Sequence, residues 1–160
     1  MAGQQLDHLN YGGYSEFVSP SLTVSRPLSR RLEGSINLQP ALLVNQPTKQ
    51  PPTDERQTVW AAVLDVGLRW YPFPARWSWQ PFVEVNAGIL GASHRVPARG
   101  TDFNFNAQSG VGVLLPYGER WHPYIAARWY HISNGNLGYR NPSWDYWAVV
   151  AGGKLSFKPS

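Results

Sequence analysis

From Val18 onward, apolar side chains take every second position of this chain. Across Val18 to Val24 the even positions are Val18, Pro20, Leu22 and Val24, against Ser19, Ser21 and Thr23. Across Leu32 to Val44, Leu32, Ile36, Leu38, Leu42 and Val44 alternate with Glu33, Ser35, Asn37 and Gln39. Across Thr58 to Trp70, Trp60, Ala62, Leu64, Val66, Leu68 and Trp70 oppose Asp65, Gly67 and Arg69. From Pro81, Val83, Val85, Ala87 and Ile89 oppose Glu84, Asn86 and Gly88. From Phe103, Phe105, Ala107, Val111 and Val113 oppose Asn104, Asn106, Gln108, Gly110 and Gly112. Two further segments follow, Tyr124 to Ser133 and Asp145 to Phe157. Successive side chains on a strand point to opposite faces, so this period of two predicts strands throughout.

Two folds accommodate one apolar and one mixed face. A soluble lipid-binding barrel turns the apolar face inward. An outer-membrane barrel turns it toward lipid and fills its lumen with the polar face. Three features favour the second. The mixed face is poor in Lys and rich in Asn, Gln and Gly, as a crowded hydrogen-bonded interior requires. Aromatic residues gather at segment ends (Trp70-Tyr71, Trp77 and Trp79, Trp121, Trp144 and Trp147), in the manner of interfacial girdles. Most segments also run to about 10–13 residues, beyond the common globular length of about 5–6.

The expected architecture is therefore all-β, an eight-stranded antiparallel outer-membrane barrel forming a single domain over residues 1–160. Seven strands are strong. Single-chain bacterial barrels have an even number, so an eighth is expected at the N-terminus, short or truncated, with Asp7 to Tyr14 as its candidate. With the C-terminus periplasmic, the outer connections are Asn45–Gln57, Gly91–Thr101 and Asn134–Trp144. The periplasmic ones are Ser25–Arg31, Tyr71–Gln80 and Tyr117–His122. The outer set is expected to be the longer.

Composition narrows the function. Charged residues make up 15% of the chain and aromatics 14%, with eight Trp and a net charge of +4. Lys and Arg are scattered, so no nucleic-acid stripe is present and no nucleic-acid partner is expected. There is no Cys, and the four His lack metal-ligand spacing, so no metal site is expected. No run approaches the ~18 apolar residues of a membrane-spanning helix. The Met1-Ala2-Gly3-Gln4-Gln5 start lacks a signal-peptide pattern, which leads to the expectation that a signal peptide and part of the first strand lie upstream.

The chemistry gathers in the last two strands. His131 and Ser133 share a face two residues apart, and Asp145 shares the apolar face of the following strand. Nucleophile, base and acid are the side-chain types of a serine hydrolase. Ionisable groups on a lipid-facing surface are costly and mark function by default. If Ser133 stands opposite Asp145, His131 faces Trp147 with Asp145 as its diagonal neighbour. His131 is then the candidate general base, Asp145 its orienting acid, and Asn134 a candidate oxyanion donor. Arg95, Arg99 and Arg140 are candidate contacts to an anionic headgroup. Ser109 also lies on the apolar face and reads as a small packing residue, and His94 reads as a solvated loop residue.

The run His131-Ile132-Ser133-Asn134, with the acid at Asp145 two residues beyond Pro142-Ser143, resembles the outer-membrane lipid A 3-O-deacylase family (PagL). The likeness extends over essentially all strands, with its specific part in residues 128–147. It implies an eight-stranded barrel in the bacterial outer membrane, with lipopolysaccharide as substrate and membrane lipid as surroundings. It implies hydrolysis of the 3-position acyl ester of lipid A without a cofactor, through a Ser-His-acid triad matched by His131, Ser133 and Asp145. Asn134 matches the oxyanion-hole Asn. Asn136 stands where a Gly backbone N–H is expected to contribute, and Asp145 replaces a Glu. The chain also continues past Phe157 with Lys158-Pro159-Ser160 instead of ending on an aromatic. Monomer and homodimer stay open. Two rivals stand beside this reading: a non-enzymatic small barrel for adhesion or membrane integrity, and a soluble lipid-binding barrel.

Overall fold

The computed structural model describes residues 3–4, 16–47, 55–73, 79–97, 100–115, 120–138 and 141–156. The strands are β1 (Gly3–Gln4), β2 (Glu16–Val18), β3 (Ser21–Pro27), β4 (Leu32–Pro47), β5 (Arg56–Trp70), β6 (Gln80–Val96), β7 (Thr101–Leu114), β8 (Trp121–Ser133) and β9 (Trp144–Ser156). From β3 to β9 each strand pairs antiparallel with the next. β3 also lies parallel to β9, from Ser21 opposite Gly152 to Ser25 opposite Ser156, and this contact closes the sheet into a barrel.

The strand count differs from the expected eight. β2 and β3 follow one line along β4, so among the described residues seven strands run at length. When hairpins join every neighbour, an odd number leaves the first and last strands running the same way, hence the parallel seam. At the far end of that seam Gly3–Gln4 wedges between β2 and β9, antiparallel to both. The candidate first strand, Asp7 to Tyr14, lies outside the described residues. The outer connection expected at Gly91–Thr101 is also shorter. β6 runs on to Val96, which pairs with Thr101 across a bulge, leaving only residues 97–100 as a connection. The connection over 71–79, expected on the periplasmic side, is longer than the one over 48–55, expected outside, so the expected length asymmetry is weak.

The faces follow the alternation. Ile36, Leu64, Val66, Val85, Val111 and Val149 point outward and are exposed, while Asn37, Gln39, Asp65, Arg69, Glu84 and Arg128 are buried inside. The apolar face is thus the outer one, and the soluble barrel with an apolar interior is overturned. Burying Asp, Glu and Arg together is tolerable only with dense pairing. Asp65 accepts from Asn37 Nδ2 at 2.6 Å, Gln39 Nε2 at 2.7 Å and Gln108 Nε2 at 3.0 Å. Glu84 accepts from Arg69 Nη2 at 2.9 Å and from Arg128 Nε. The Arg69 guanidinium lies over the Phe82 ring, 4.0 Å from its centroid. Gly110 faces Arg128, and a Cβ there would sit 2.6 Å from the Ala127 carbonyl and 2.9 Å from Arg128 Cγ, so the close fit of that arginine requires glycine. Below this network Lys154 Nζ donates to both Glu33 oxygens at 2.7 and 2.9 Å, and Tyr71 Oη donates to Glu33 at 2.8 Å. Burial pushes the Tyr71 hydroxyl pKa upward, which keeps it a donor.

The inner face is not polar along its whole length. Toward the outer end Leu43, Val59, Val63, Leu90 and Ile132 are wholly buried, with Trp144 beside them. Val59 and Val63 share the inward face of β5 with Asp65 and Arg69. An apolar cluster, with Asn104 opposite Leu90 and Asn106 opposite Ile132, therefore lies above the charged part of the lumen, just behind the strand ends that carry His131 and Asp145.

Candidate functional site

β8 and β9 are adjacent because a single connection, residues 134–143, joins them. Their register sets His131 opposite Asp145, Trp129 opposite Trp147 and Ile132 opposite Trp144. This is two residues away from the expected pairing of Ser133 with Asp145 and of His131 with Trp147. A shift of two keeps every side chain on its face, so the outward placement holds while the partner changes. The diagonal approach becomes a direct one. His131 Nδ1 and Asp145 Oδ1 are 2.9 Å apart, a hydrogen-bonded pair. The two side chains are 37% and 44% exposed, so the pair sits on the outer surface and is not buried under it.

Ser133 lies two residues along β8 from His131 on the same face, half-buried, opposite Phe105 of β7. Among the described residues its hydroxyl makes no hydrogen bond to His131. The structure thus joins the candidate base His131 to the candidate acid Asp145, and sets the candidate nucleophile Ser133 two residues along the same face. The surround is apolar. Phe103 and Phe105 stack edge to face with centroids 5.8 Å apart. Trp129 stacks on the His131 ring at 5.9 Å and 27°. Ala107 lies opposite His131 on β7 and Ser109 lies opposite Trp129, so small side chains leave the two rings room.

Directly after Ser133 the chain turns sharply. Leu137 N donates to Asn134 O at 3.1 Å, and the central residues Gly135 and Asn136 have φ of 60° and 66°. Two positive φ values in succession mark a turn of type I′ sense, where Gly and Asn are the favoured residues. A Cβ on Gly135 would meet the Phe105 ring at 2.8 Å, so the position excludes a side chain on two counts. The Asn136 N–H donates to Asn134 Oδ1 at 3.0 Å, and the Asn134 N–H donates to Asn141 Oδ1 at 2.9 Å. Asn134 is wholly buried. Both candidate oxyanion residues therefore stand next to Ser133, with their backbone N–H groups engaged within the loop.

Arg95 is exposed at the outer end of β6, and Arg99 and Arg140 lie outside the described residues. His94 is exposed, but it lies on β6 and not in the loop expected of it. Among the described residues no group of His and carboxylates is arranged to hold a metal ion. Three residues escaped the sequence reading: Gly135, Asn141 and Trp129 in its role against His131. The Asn-Gly pair inside Asn134-Gly135-Asn136 was a legible turn signal. Nothing in spacing alone distinguishes Trp129 from any other girdle tryptophan.

Known proteins resemble this chain in two ways. The family model for lipid A 3-O-deacylase (PagL) matches residues 30–153. The crystal structure of the outer membrane enzyme PagL superposes with a TM-score of 0.64 at 16% identity, covering 92% of each chain. No curated protein matches the sequence.

Proposed function

The chain belongs to the lipid A 3-O-deacylase (PagL) family, and from that premise we propose that Ser133, His131 and Asp145 form the triad with which it works. The protein is an outer-membrane barrel enzyme that removes the 3-position ester-linked acyl chain of lipid A. One observation carries the assignment of residues. A hydrogen-bonded His131–Asp145 pair at 2.9 Å lies beside a serine on an otherwise apolar outer surface. Ionisable groups on a lipid-facing surface are costly, so a structural role gives no reason to place this pair there.

The reaction then runs as follows. His131 takes the Ser133 hydroxyl proton while Ser133 Oγ bonds to the ester carbonyl carbon. Asp145 holds Nδ1 and stabilises the imidazolium. The tetrahedral carbon collapses, the bond to the sugar 3-oxygen breaks, and His131 returns the proton to that oxygen. Water repeats the sequence on the acyl-serine, with His131 again as base, and releases a fatty acid. No cofactor enters any step. The developing oxyanion needs donors near Ser133, and Asn134 and Asn136 stand closest. In this reading the Asn136 N–H exchanges the Asn134 side chain for the oxyanion as substrate binds. Arg95, Arg99 and Arg140 are assigned to the anionic headgroup. All three reacting groups come from one chain, so the chemistry needs no second copy and leaves a homodimer to other faces of the barrel.

We further propose that the complete barrel is eight-stranded. Support comes from β1, which pairs antiparallel with both β2 and β9, as an intervening first strand would.

Mass spectrometry of lipid A from cells expressing the native chain tests the function. The expected result is loss of one ester-linked acyl chain, with full acylation restored by Ser133→Ala. An unchanged lipid A pattern with a folded native barrel overturns it. The non-enzymatic barrel predicts that unchanged pattern.

A further inference from the structure

We propose that Trp129 is a positioning residue for this reaction: its indole face holds the His131 ring in plane and stabilises the imidazolium that forms when Ser133 gives up its proton. The inference rests on His131 being the general base. The observation behind it is the stack between the two rings, 5.9 Å between centroids at 27°. A cation within about 6 Å of an indole centroid is attracted by the ring quadrupole, most strongly where water is scarce. Phe105 and Trp147 flank this outward apolar face, and in an outer-membrane barrel such a face meets lipid, so water is scarce there.

The neighbouring strands show how little else can do this work. On β9 the group facing His131 is Asp145, which binds Nδ1 in the ring plane at 2.9 Å. On β7 it is Ala107, which carries no charge. On β8 itself Ser133 is the nucleophile. Asp145 therefore stabilises the positive ring along its edge and Trp129 over its face. Trp147 stands opposite Trp129 on β9, and the residue opposite it on β7 is the small Ser109. A girdle tryptophan anchoring the barrel in the interface would need none of this alignment with an imidazole.

The test uses the full chain in detergent micelles containing lipid A. Steady-state rates are measured across pH for the native protein, Trp129→Phe and Trp129→Leu, with folding checked by heat-dependent gel mobility. Trp129→Leu is expected to lower kcat about 3- to 30-fold. It is also expected to move the acidic limb of the kcat/KM profile to lower pH by about half a unit, because a less favoured imidazolium forms at lower pH. Trp129→Phe keeps an aromatic face and is expected to hold most of both. A rise in KM with kcat and the acidic limb unchanged would make Trp129 a lipid anchor only and overturn the proposal. Equal behaviour of the Phe and Leu variants would also overturn it. His131→Ala separates the two readings. If that variant keeps its activity, the general-base assignment fails, whereas a silent Trp129→Leu beside an inactive His131→Ala removes only the role of Trp129.

Discussion

Two charged clusters in this barrel use similar groups for opposite ends. Inside, Glu84 is clamped between Arg69 and Arg128, with side chains at most 2% exposed. Outside, Asp145 meets His131 with both side chains more than a third exposed. The inner cluster is over-determined: Arg128 also reaches Gln108 and Tyr124, and Tyr130 ties to Gln39. The outer cluster rests on one hydrogen bond, one ring stack and a tight turn. A buried ion pair is costly to break because the surviving charge loses both partner and water. The outer pair leaves no deeply buried charge behind when one partner is removed, so its removal is felt in chemistry. Polar groups that hold this fold together are thus separated by one sheet thickness from those assigned to react.

Substitutions can break that division, and the largest effect belongs to the nucleophile. Ser133→Ala is expected to lower lipid A deacylation by a factor on the order of 10⁴ to 10⁶, with the thermal transition unmoved. Rates and unfolding curves on one preparation check both halves. A large drop in folded protein would place Ser133 in the architecture instead. Asp145→Asn comes next, at about 10² to 10⁴ in kcat, since the amide neither fixes the required tautomer nor neutralises the imidazolium. Asp145→Glu restores the carboxylate and should recover much of the rate, and failure to recover would show that the 2.9 Å approach depends on the shorter side chain.

The inner cluster should respond the other way. Glu84→Gln leaves Arg69 and Arg128 uncompensated and is expected to cost about 3–5 kcal/mol of stability. Activity per folded molecule should stay near native. Denaturant midpoints in detergent measure the first, and rates normalised to folded protein the second. A selective loss of kcat in a fully stable variant would erase the distinction. The smallest effect is expected at Gly135, where a side chain must adopt φ of 60° and press on Phe105. Gly135→Ala should cost about 1–2 kcal/mol and slow the reaction through the displaced turn.

Much of this was legible in the sequence. Alternation gave the strands, their faces and the outward placement of His131, Ser133 and Asp145, because a period of two leaves only two choices and the polar lumen residues decide between them. Register was less legible. The expected pairing was two residues off, and nothing in an alternating pattern separates registers that differ by two. The Asn134-Gly135-Asn136 turn, with its Leu137 to Asn134 hydrogen bond, ends β8 but lies within the longer connection over 134–143, so it does not by itself name the register. The apolar cluster was missed because Val59 and Val63 occupy inward positions of a strand whose charged residues drew the eye. The seam was not legible either. Alternation finds strands, and the parallel contact of β3 with β9 is a property of closure.

In the proposed site the reactive serine stands on the outer surface beside an oriented imidazole. A fluorophosphonate that modifies activated serines tests it most directly, applied to the folded barrel in detergent and followed by peptide mass mapping. A single adduct on Ser133 is expected, lost in His131→Ala and strongly slowed in Asp145→Asn. Labelling of another serine, or equal labelling of Ser133 without His131, would contradict it.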